Sequence, residues 1–165
     1  MEILEIKDLE ILAKKRVPKM FFDYVNSGSW TETTYNENVS DFQKIKLRQR
    51  VAIDMSNRTL ETKMINQPVS MPVAIAPTGL TGMQRADGEI LAAQAAEEFG
   101  IPYTLSTMSV CSIEAVAEKT KKPFWFQLYV MKDKKFMESL IDRAKEAKCS
   151  ALVLTLDLQL LGQRH

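Results

Sequence analysis

From residue 71 onward, short apolar runs alternate with amphipathic segments. The apolar runs occupy residues 71–79, 102–109, 123–130 and 151–157, and turn or polar residues bound each of them. Such runs predict strands that are covered on both faces, and the longer segments between them predict helices. Strands that alternate with helices are typical of a parallel sheet with helical crossovers. The pattern therefore predicts an α/β fold.

The three segments between the predicted strands read as amphipathic helices. Residues 88–99 predict the first helix, which Asp87 can cap and Gly100 ends. Ser112 and Asp133 stand at the starts of the second and third helices, where a side-chain oxygen can accept a backbone N–H. The predicted apolar face is Leu91, Ala92, Ala95, Ala96 and Phe99 in the first helix, and Phe136, Met137, Leu140, Ile141 and Ala144 in the third.

The N-terminal part of the chain lacks this alternation and predicts short helices with connectors. Pro18 suits the first turn of a helix that Gly28 ends, and a polar helix is predicted around residues 31–42. We therefore predict an N-terminal helical segment, residues 1–70, followed by about four βα units in residues 71–165.

Each predicted strand becomes polar at its carboxyl end. Carboxyl ends converge on the active face of a TIM (β/α)8 barrel, and an open doubly wound sheet also binds ligands there. No G-x-G-x-x-G turn and no P-loop lysine follows the first strand, which favours the barrel. The polar strand ends carry Pro77, Thr78, Gly79, Ser106, Thr107, Gln127, Tyr129, Thr155 and Asp157.

The chain is short for such a barrel. A complete barrel needs about 250 residues, whereas this chain has 165. Half a ring would also leave the first and fourth strands as unpaired edges. We therefore expect an incomplete barrel whose remaining half is supplied by the same chain or by a separate one.

Charge and composition argue against several classes of protein. The 22 Lys and Arg residues balance 21 Asp and Glu residues, so a net charge of +1 gives nucleic-acid binding no electrostatic support. The N-terminus has no signal-peptide pattern, and no apolar window reaches the length of an ordinary membrane span. Cys111 and Cys149 lack metal-ligand spacing. We expect two reduced, mostly buried thiols in a cytoplasmic protein and no metal site.

Five motifs indicate a family. They are "PKMFFDYV", "MPVAIAPTG", "TLSTMS", "FQLYV" and "LTLDLQLLGQRH". In order and spacing they resemble the amino-terminal half of the FMN-dependent 2-hydroxy-acid dehydrogenases and oxidases, the lactate dehydrogenase and glycolate oxidase family. The resemblance covers essentially the whole chain. It implies an FMN across the carboxyl end of the barrel and oxidation of a small L-2-hydroxy acid, with L-lactate first, to the 2-oxo acid by hydride transfer to the flavin.

The same resemblance implies roles for individual residues. An arginine fork suits the substrate carboxylate, and a tyrosine hydroxyl can bind a substrate oxygen. The catalytic histidine of the family is expected beyond the C-terminus, and we expect His165 to be exposed and non-catalytic. The implied flavin contacts are Pro77, Thr78, Gly79, Ser106, Gln127 and Thr155; the implied substrate contacts are Tyr24, Tyr129 and Arg164, with Tyr129 also catalytic.

Structural alternatives stay open for these residues. Tyr24 could be core packing beside two phenylalanines with its hydroxyl at the surface. Thr155 could be a strand-favouring residue, Ser106 a helix or turn cap and Arg164 a surface charge. Gln127 is harder to explain in this way, because amides are seldom buried in an apolar strand without a partner.

Alternatives also stay open for the whole chain. One is a non-catalytic half-barrel or interaction module, and another is a different FMN-binding barrel enzyme such as an isopentenyl diphosphate isomerase. The set of Tyr24, Tyr129 and Arg164 argues against the second, since it fits a small carboxylate and not a diphosphate. We expect these 165 residues alone to be inactive. For the complete enzyme, two further expectations stay open: formation of a homo-oligomer and peripheral attachment to the inner face of the cell membrane.

Overall fold

The computed structural model describes residues 2–164. It divides the chain into two compact units. Unit 1 contains the residues up to Arg58 together with those from Gln159 onward, and unit 2 is Thr59–Leu158. The α/β character predicted from the alternation is confirmed, because helices and strands alternate through unit 2.

Unit 1 is helical and weakly packed. Its elements are α1 (Ile6–Arg16), α2 (Lys19–Val25), α3 (Thr33–Ser40) and a 3-10 turn (Asp41–Lys44). Helix α2 starts directly after Pro18, which is its N-cap and not part of the predicted first turn, and it ends at Val25, before the predicted stop at Gly28. Proline suits this position because it fixes its own φ and has no N–H that needs a partner. Phe22 is the one buried side chain among the described residues of this unit.

Unit 2 begins with a hairpin that the sequence analysis did not predict. Strands β1 (Thr62–Met64) and β2 (Gln67–Val69) pair antiparallel. Ile65 and Asn66, the two residues between them, have φ of 45° and 61°. Two such residues are typical of the tight turns whose twist matches a hairpin.

The remainder of unit 2 alternates between strands and helices. Its main sheet is parallel, with the order β3-β4-β5. The elements in chain order are α4 (Thr81–Gln84), α5 (Gly88–Phe99), β3 (Thr104–Leu105), α6 (Ile113–Lys119), β4 (Trp125–Tyr129), α7 (Lys134–Glu146) and β5 (Ala151–Thr155).

The strand predicted over residues 71–79 is reduced to a single bridge. Ile75 donates its N–H to the Pro102 carbonyl at 2.9 Å and accepts the Thr104 N–H at 3.1 Å. Pro72 and Pro77 flank this bridge, and proline has no N–H to give to a sheet. The segment therefore stays beside β3 without forming a regular ladder.

The core of unit 2 lies between the sheet and helices α5, α6 and α7. Ser112 accepts the Ala115 N–H and Asp133 accepts the Phe136 N–H, each at 3.1 Å, so both predicted caps are confirmed. The buried cluster consists of Ala93, Ala96, Tyr103, Leu105, Ile113, Val116, Phe124, Phe126, Leu128, Leu140 and Ala144.

Helix α5 has the predicted bounds, but its predicted side-chain cap is absent and its predicted apolar face is only partly buried. Asp87 has a φ of 57° and makes no capping hydrogen bond with its side chain, so that prediction was wrong. Leu91 and Phe99 are 45% and 60% exposed, whereas Ala93 and Ala96 are buried. Small side chains let this helix approach the sheet closely, and the larger ones are left outside. The exposed Ala95 and, in α7, the 47% exposed Phe136 also depart from the predicted faces.

Candidate functional site

The polar group at the carboxyl ends of β3, β4 and β5 is centred on Gln127. This residue is 1% exposed, and both ends of its amide are engaged. Its Oε1 accepts the Thr107 N–H at 3.1 Å and the Ser106 hydroxyl at 3.4 Å. Its Nε2 donates to Thr155 Oγ1 at 2.8 Å. The amide on β4 therefore links the residues that follow β3 with the last residue of β5.

The strand register explains why these residues meet. In the parallel ladder Gln127 stands opposite Val153, and Tyr129 stands opposite Thr155. Side chains two residues apart share a strand face, so Gln127 and Tyr129 point to one side together, as the sequence predicted. Tyr129 and Thr155 are half-buried, at the open end of this face.

Ser106 is buried at 3% exposure and has two hydrogen bonds. It donates to Gln127 and accepts the Met108 N–H at 3.1 Å. Thr107 adds a bond from its hydroxyl to the Gln127 carbonyl. The structure thus places Ser106 inside the Gln127 group and adds Thr107, a residue that carried no assigned contact.

The predicted contacts after the first strand lie beside this group. Leu80 donates its N–H to the Met108 carbonyl at 2.9 Å. A Cβ placed on Gly79 would stand 3.2 Å from the Met108 Cβ and 4.0 Å from Ser106 Oγ. Glycine therefore lets the backbone come close to Met108 here, with Ser106 beside it. Pro77 and Thr78 precede this contact and are exposed.

Glu89 is a buried acid that the sequence analysis missed. It is 0% exposed, and its Oε1 accepts the N–H groups of Gly82 and Val110, both at 2.9 Å. Burial acts to raise the pKa of this carboxyl, but the N–H groups of Val110, Gly82 and Glu89 itself and the Cys111 thiol together outweigh it and hold the pKa below its ordinary value. Burial is the largest cause that raises the pKa of both Tyr103 and Cys111, and Glu89 adds to it, by its charge at Tyr103 and by direct interaction with the thiol at Cys111.

The other two predicted substrate contacts, Tyr24 and Arg164, are both in unit 1 and touch each other. Arg164 donates from Nη1 to the Tyr24 carbonyl, and its guanidinium carbon lies 4.5 Å from the centre of the Tyr24 ring. A cation over an aromatic face is an attractive arrangement. Tyr24 is 48% exposed. His165 lies outside the described residues.

The Gln127 group fits a flavin ring chemically. Nε2 of Gln127 has one acceptor within residues 2–164, although an amide nitrogen carries two hydrogens. The group offers neutral hydrogen-bonding partners: the Gln127 amide with one hydrogen still free, the Ser106 and Thr155 hydroxyls on either side of it, and the nearby Gly79 backbone. The edges of a flavin ring require partners of this kind.

The described part of the chain has two free thiols but no metal-binding cluster and no helix that could span a membrane. Residues 2–164 contain no group of three or more His, Cys, Asp or Glu side chains placed to hold a metal ion. None of the helices there is long and apolar enough to cross a membrane. Cys111 and Cys149 are free thiols, both half-buried, and burial raises the pKa of Cys149 to about 11.

Comparison of the sequence with known proteins gives one family. A family model described as FMN-dependent dehydrogenase matches residues 13–165. The L-lactate dehydrogenase of Acinetobacter baylyi is 49% identical over 165 residues, which are 100% of this chain and 43% of that protein. That of Acinetobacter baumannii is 51% identical over 158 residues, 96% of this chain and 41% of that protein. The chain therefore spans less than half the length of these curated relatives.

Solved structures give the same picture. A soluble mutant of the membrane-associated (S)-mandelate dehydrogenase from Pseudomonas putida matches with a TM-score of 0.93 at 35% identity, covering 99% of this chain and 46% of that chain. A structure of (S)-mandelate dehydrogenase described as a monotopic membrane protein matches with a TM-score of 0.93 at 34% identity, covering 99% and 44%. Mandelate oxidase with (S)-4-hydroxymandelic acid matches at 0.89 and 33% identity, covering 96% and 44%.

Proposed function

This chain belongs to the FMN-dependent dehydrogenase family, and from that premise we propose that it supplies the amino-terminal part of an enzyme that oxidises a small L-2-hydroxy acid. The observation that carries the proposal is the buried Gln127 amide, which joins the ends of three strands and keeps donor capacity for a ligand. L-lactate is the first candidate substrate, because the lactate dehydrogenase relatives are about 50% identical and the mandelate dehydrogenase structures about 35%.

The proposed flavin contacts are those that the family resemblance implied. FMN, when bound, supplies the acceptor for the hydride of the substrate. Gln127 and Ser106 would hold a ring edge through the network that already fixes them, and Thr155 would orient the Gln127 amide. Pro77, Thr78 and Gly79 would add backbone and side-chain contacts from the neighbouring loop.

The proposed substrate contacts provide for a carboxylate and an oxygen. Arg164 offers a planar fork of N–H donors, of which the Tyr24 carbonyl takes one. The hydroxyl groups of Tyr24 and Tyr129 can each bind a substrate oxygen, and Tyr129 is proposed to act in catalysis. A base with a pKa near neutral is still needed, and the family histidine that serves as this base is proposed to lie outside these residues.

The domain organisation follows from this assignment. We propose that residues 1–70 form the N-terminal segment and residues 71–165 about four βα units of an incomplete TIM (β/α)8 barrel. The missing half of the barrel, in the same chain or a separate one, would close the sheet. The isolated 165 residues are proposed to have no turnover. Attachment to the inner face of the cell membrane and formation of a homo-oligomer are proposed only for the complete enzyme.

Complementation tests the proposal directly. The chain is co-expressed with the carboxyl-terminal portion of the Acinetobacter baylyi L-lactate dehydrogenase that it does not cover. We expect the co-purified pair to carry FMN, visible as a flavin absorption spectrum, and to reduce a dye with L-lactate faster than with (S)-mandelate. The chain alone should do neither.

A matched variant identifies the residue that is responsible. Arg164→Lys keeps the positive charge but loses the fork, so we expect FMN to be retained and KM for L-lactate to rise about tenfold or more. A pair that forms without flavin would contradict the proposal, and so would a faster rate with (S)-mandelate.

A further inference from the structure

The Glu89 carboxylate joins two loops that both carry proposed flavin contacts. The first loop (residues 76–87) includes the short helix α4 and holds Pro77, Thr78 and Gly79, and the second loop (residues 106–112) begins with Ser106. Glu89 lies outside both loops, at the start of α5, and receives one N–H from each of them, from Gly82 and from Val110. One oxygen atom therefore connects the two loops.

The contact is too close to be incidental. A Cβ on Gly82 would stand 2.6 Å from the Val110 Cβ and 3.0 Å from Glu89 Oε2. The backbone of the first loop can come this near only because residue 82 has no side chain. Glu89 Oε2 is buried with no hydrogen-bond partner within residues 2–164. The Cys111 thiol, a weak donor, interacts with the Glu89 carboxylate. An amide nitrogen turned toward it would set a donor against a donor, so a carboxylate fits here better than a carboxamide does.

The connection continues from the loops to the Gln127 group. Leu80 in the first loop donates to the Met108 carbonyl in the second at 2.9 Å. Met108 donates to Ser106 Oγ at 3.1 Å, and Ser106 donates to Gln127 Oε1. A change in the distance between the loops would therefore reach Gln127 through hydrogen bonds that are already formed.

We propose that Glu89 is a positioning residue whose ionised carboxylate fixes the two loops to each other and thereby holds Gly79 and Ser106 in place for the flavin. This inference rests on the proposed function for its flavin part. The connection of the two loops through the Glu89 carboxylate, which we call the clamp, depends only on the geometry of this chain.

The first test follows two amides in the full chain. The backbone N–H shifts of Gly82 and Val110 are recorded by NMR as the pH is lowered from about 7 to about 2. Because both groups donate to one oxygen, we expect them to share one midpoint, and the midpoint to lie below the ordinary glutamate pKa of 4.5. Cys111 and Tyr103 stay neutral in this range because their pKa values are raised. Repeating the titration in Asp87→Asn removes an acid whose charge also acts on Cys111.

The second test compares two charge-removing variants on one helix. Glu89→Gln should raise the hydrogen-exchange rates of the Leu80 and Met108 amides about tenfold or more, since a charge-assisted bond is lost. Glu98→Gln, on the exposed side of α5, should leave them unchanged. Different midpoints for Gly82 and Val110, a shared midpoint at the ordinary value, or equal exchange rates in the two variants would overturn the clamp.

The effect of Glu89 on flavin binding is measured in the co-expressed pair described above. Glu89→Gln should raise the Kd for FMN about tenfold, while Glu98→Gln should match the unsubstituted chain. Equal affinity in all three would overturn the positioning role. If the unsubstituted pair holds no FMN, the proposed function fails, whereas the amide titration still decides on the clamp because it needs no flavin.

Discussion

Strands β4 and β5 are neighbours of the same length, yet they are buried very differently. They pair over five residues, and both read as apolar runs in the sequence. Phe126 and Leu128 on β4 are 1% and 3% exposed, while Leu152 and Leu154 on β5 are each 48% exposed. Strand β4 has a strand on both sides, and β5 has one neighbouring strand within residues 2–164. An apolar run therefore predicts a strand, and the neighbours of that strand determine how much of it is buried.

The largest expected effect is a difference in stability loss between truncation of Leu128 on β4 and truncation of Leu154 on β5. Leu128→Ala should lower the free energy of unfolding by about 2–5 kcal/mol, because it empties space in a filled core. Leu154→Ala should cost roughly 1 kcal/mol, since half of that side chain already meets water. Urea unfolding followed by circular dichroism measures both. Similar losses for the two variants would mean that β5 is covered as fully as β4.

The next effect tests the polar side of β4. Gln127→Leu removes the acceptor for Thr107 and Ser106 and the donor to Thr155, and it leaves a buried N–H unpaired. We expect a loss of about 1–3 kcal/mol in the free energy of unfolding. Gln127→Glu is a useful comparison, because it keeps the acceptor oxygen and destabilises the fold mainly when the buried carboxyl group is ionised. Its loss should therefore shrink as the pH is lowered.

A smaller effect belongs to the β5 side of the same hydrogen bond. Thr155→Val removes one hydrogen bond from a half-buried residue and keeps the shape, so we expect a loss of about 0.5–1.5 kcal/mol. Combining it with Gln127→Leu gives a double-mutant cycle. The two losses should fall short of additivity, since both remove one shared bond. Full additivity would show that the bond between Gln127 and Thr155 contributes nothing.

The smallest effect concerns the helices that cover β4. Arg143 on α7 donates to both carboxylate oxygens of Glu114 on α6, at 2.7 and 2.8 Å. These hydrogen bonds lower the pKa of Glu114 to about 2. Because the folded pKa lies below the ordinary value of 4.5, the stabilisation is present above that value and is lost as the pH falls toward 2.

This ion pair is largely exposed, so its contribution is small. Glu114→Gln should lower the free energy of unfolding by about 0.2–1 kcal/mol at neutral pH, and the difference should vanish below about pH 2. Urea midpoints at several pH values measure it, with the exposed Glu118→Gln as the control on the same helix. A difference that persists in strong acid would point to a packing effect and not to the charge.

Local signals predicted much of unit 2. The caps at Ser112 and Asp133 were read correctly because capping depends on a side chain and an N–H three residues away. Strand β4 was found because its apolar run is continuous. The polar strand ends were correctly expected to converge, as the Gln127 group shows, while their contacts with a flavin stay a prediction.

The features that sequence reasoning missed depend on distant neighbours. Glu89 reads as an ordinary charge in a first helical turn, and its burial comes from residues 7 and 21 positions away in sequence. The face of α5 was misassigned because the larger residues were taken as the buried ones. Ala96 was placed correctly on the buried face, but Ala93 was missed, and Leu91 and Phe99 were wrongly included.

The close approach at Gly82 also limits how this segment can vary by mutation. At Gly79 a methyl group would sit 3.2 Å from the Met108 Cβ, a distance that a shift of a few tenths of an ångström can relieve. At Gly82 the same methyl group would sit 2.6 Å from the Val110 Cβ, where no small shift suffices. In a library of random variants selected for folding, alanine should survive at position 79 and disappear at position 82. The two glycines, three residues apart, would thus accept substitutions at very different rates.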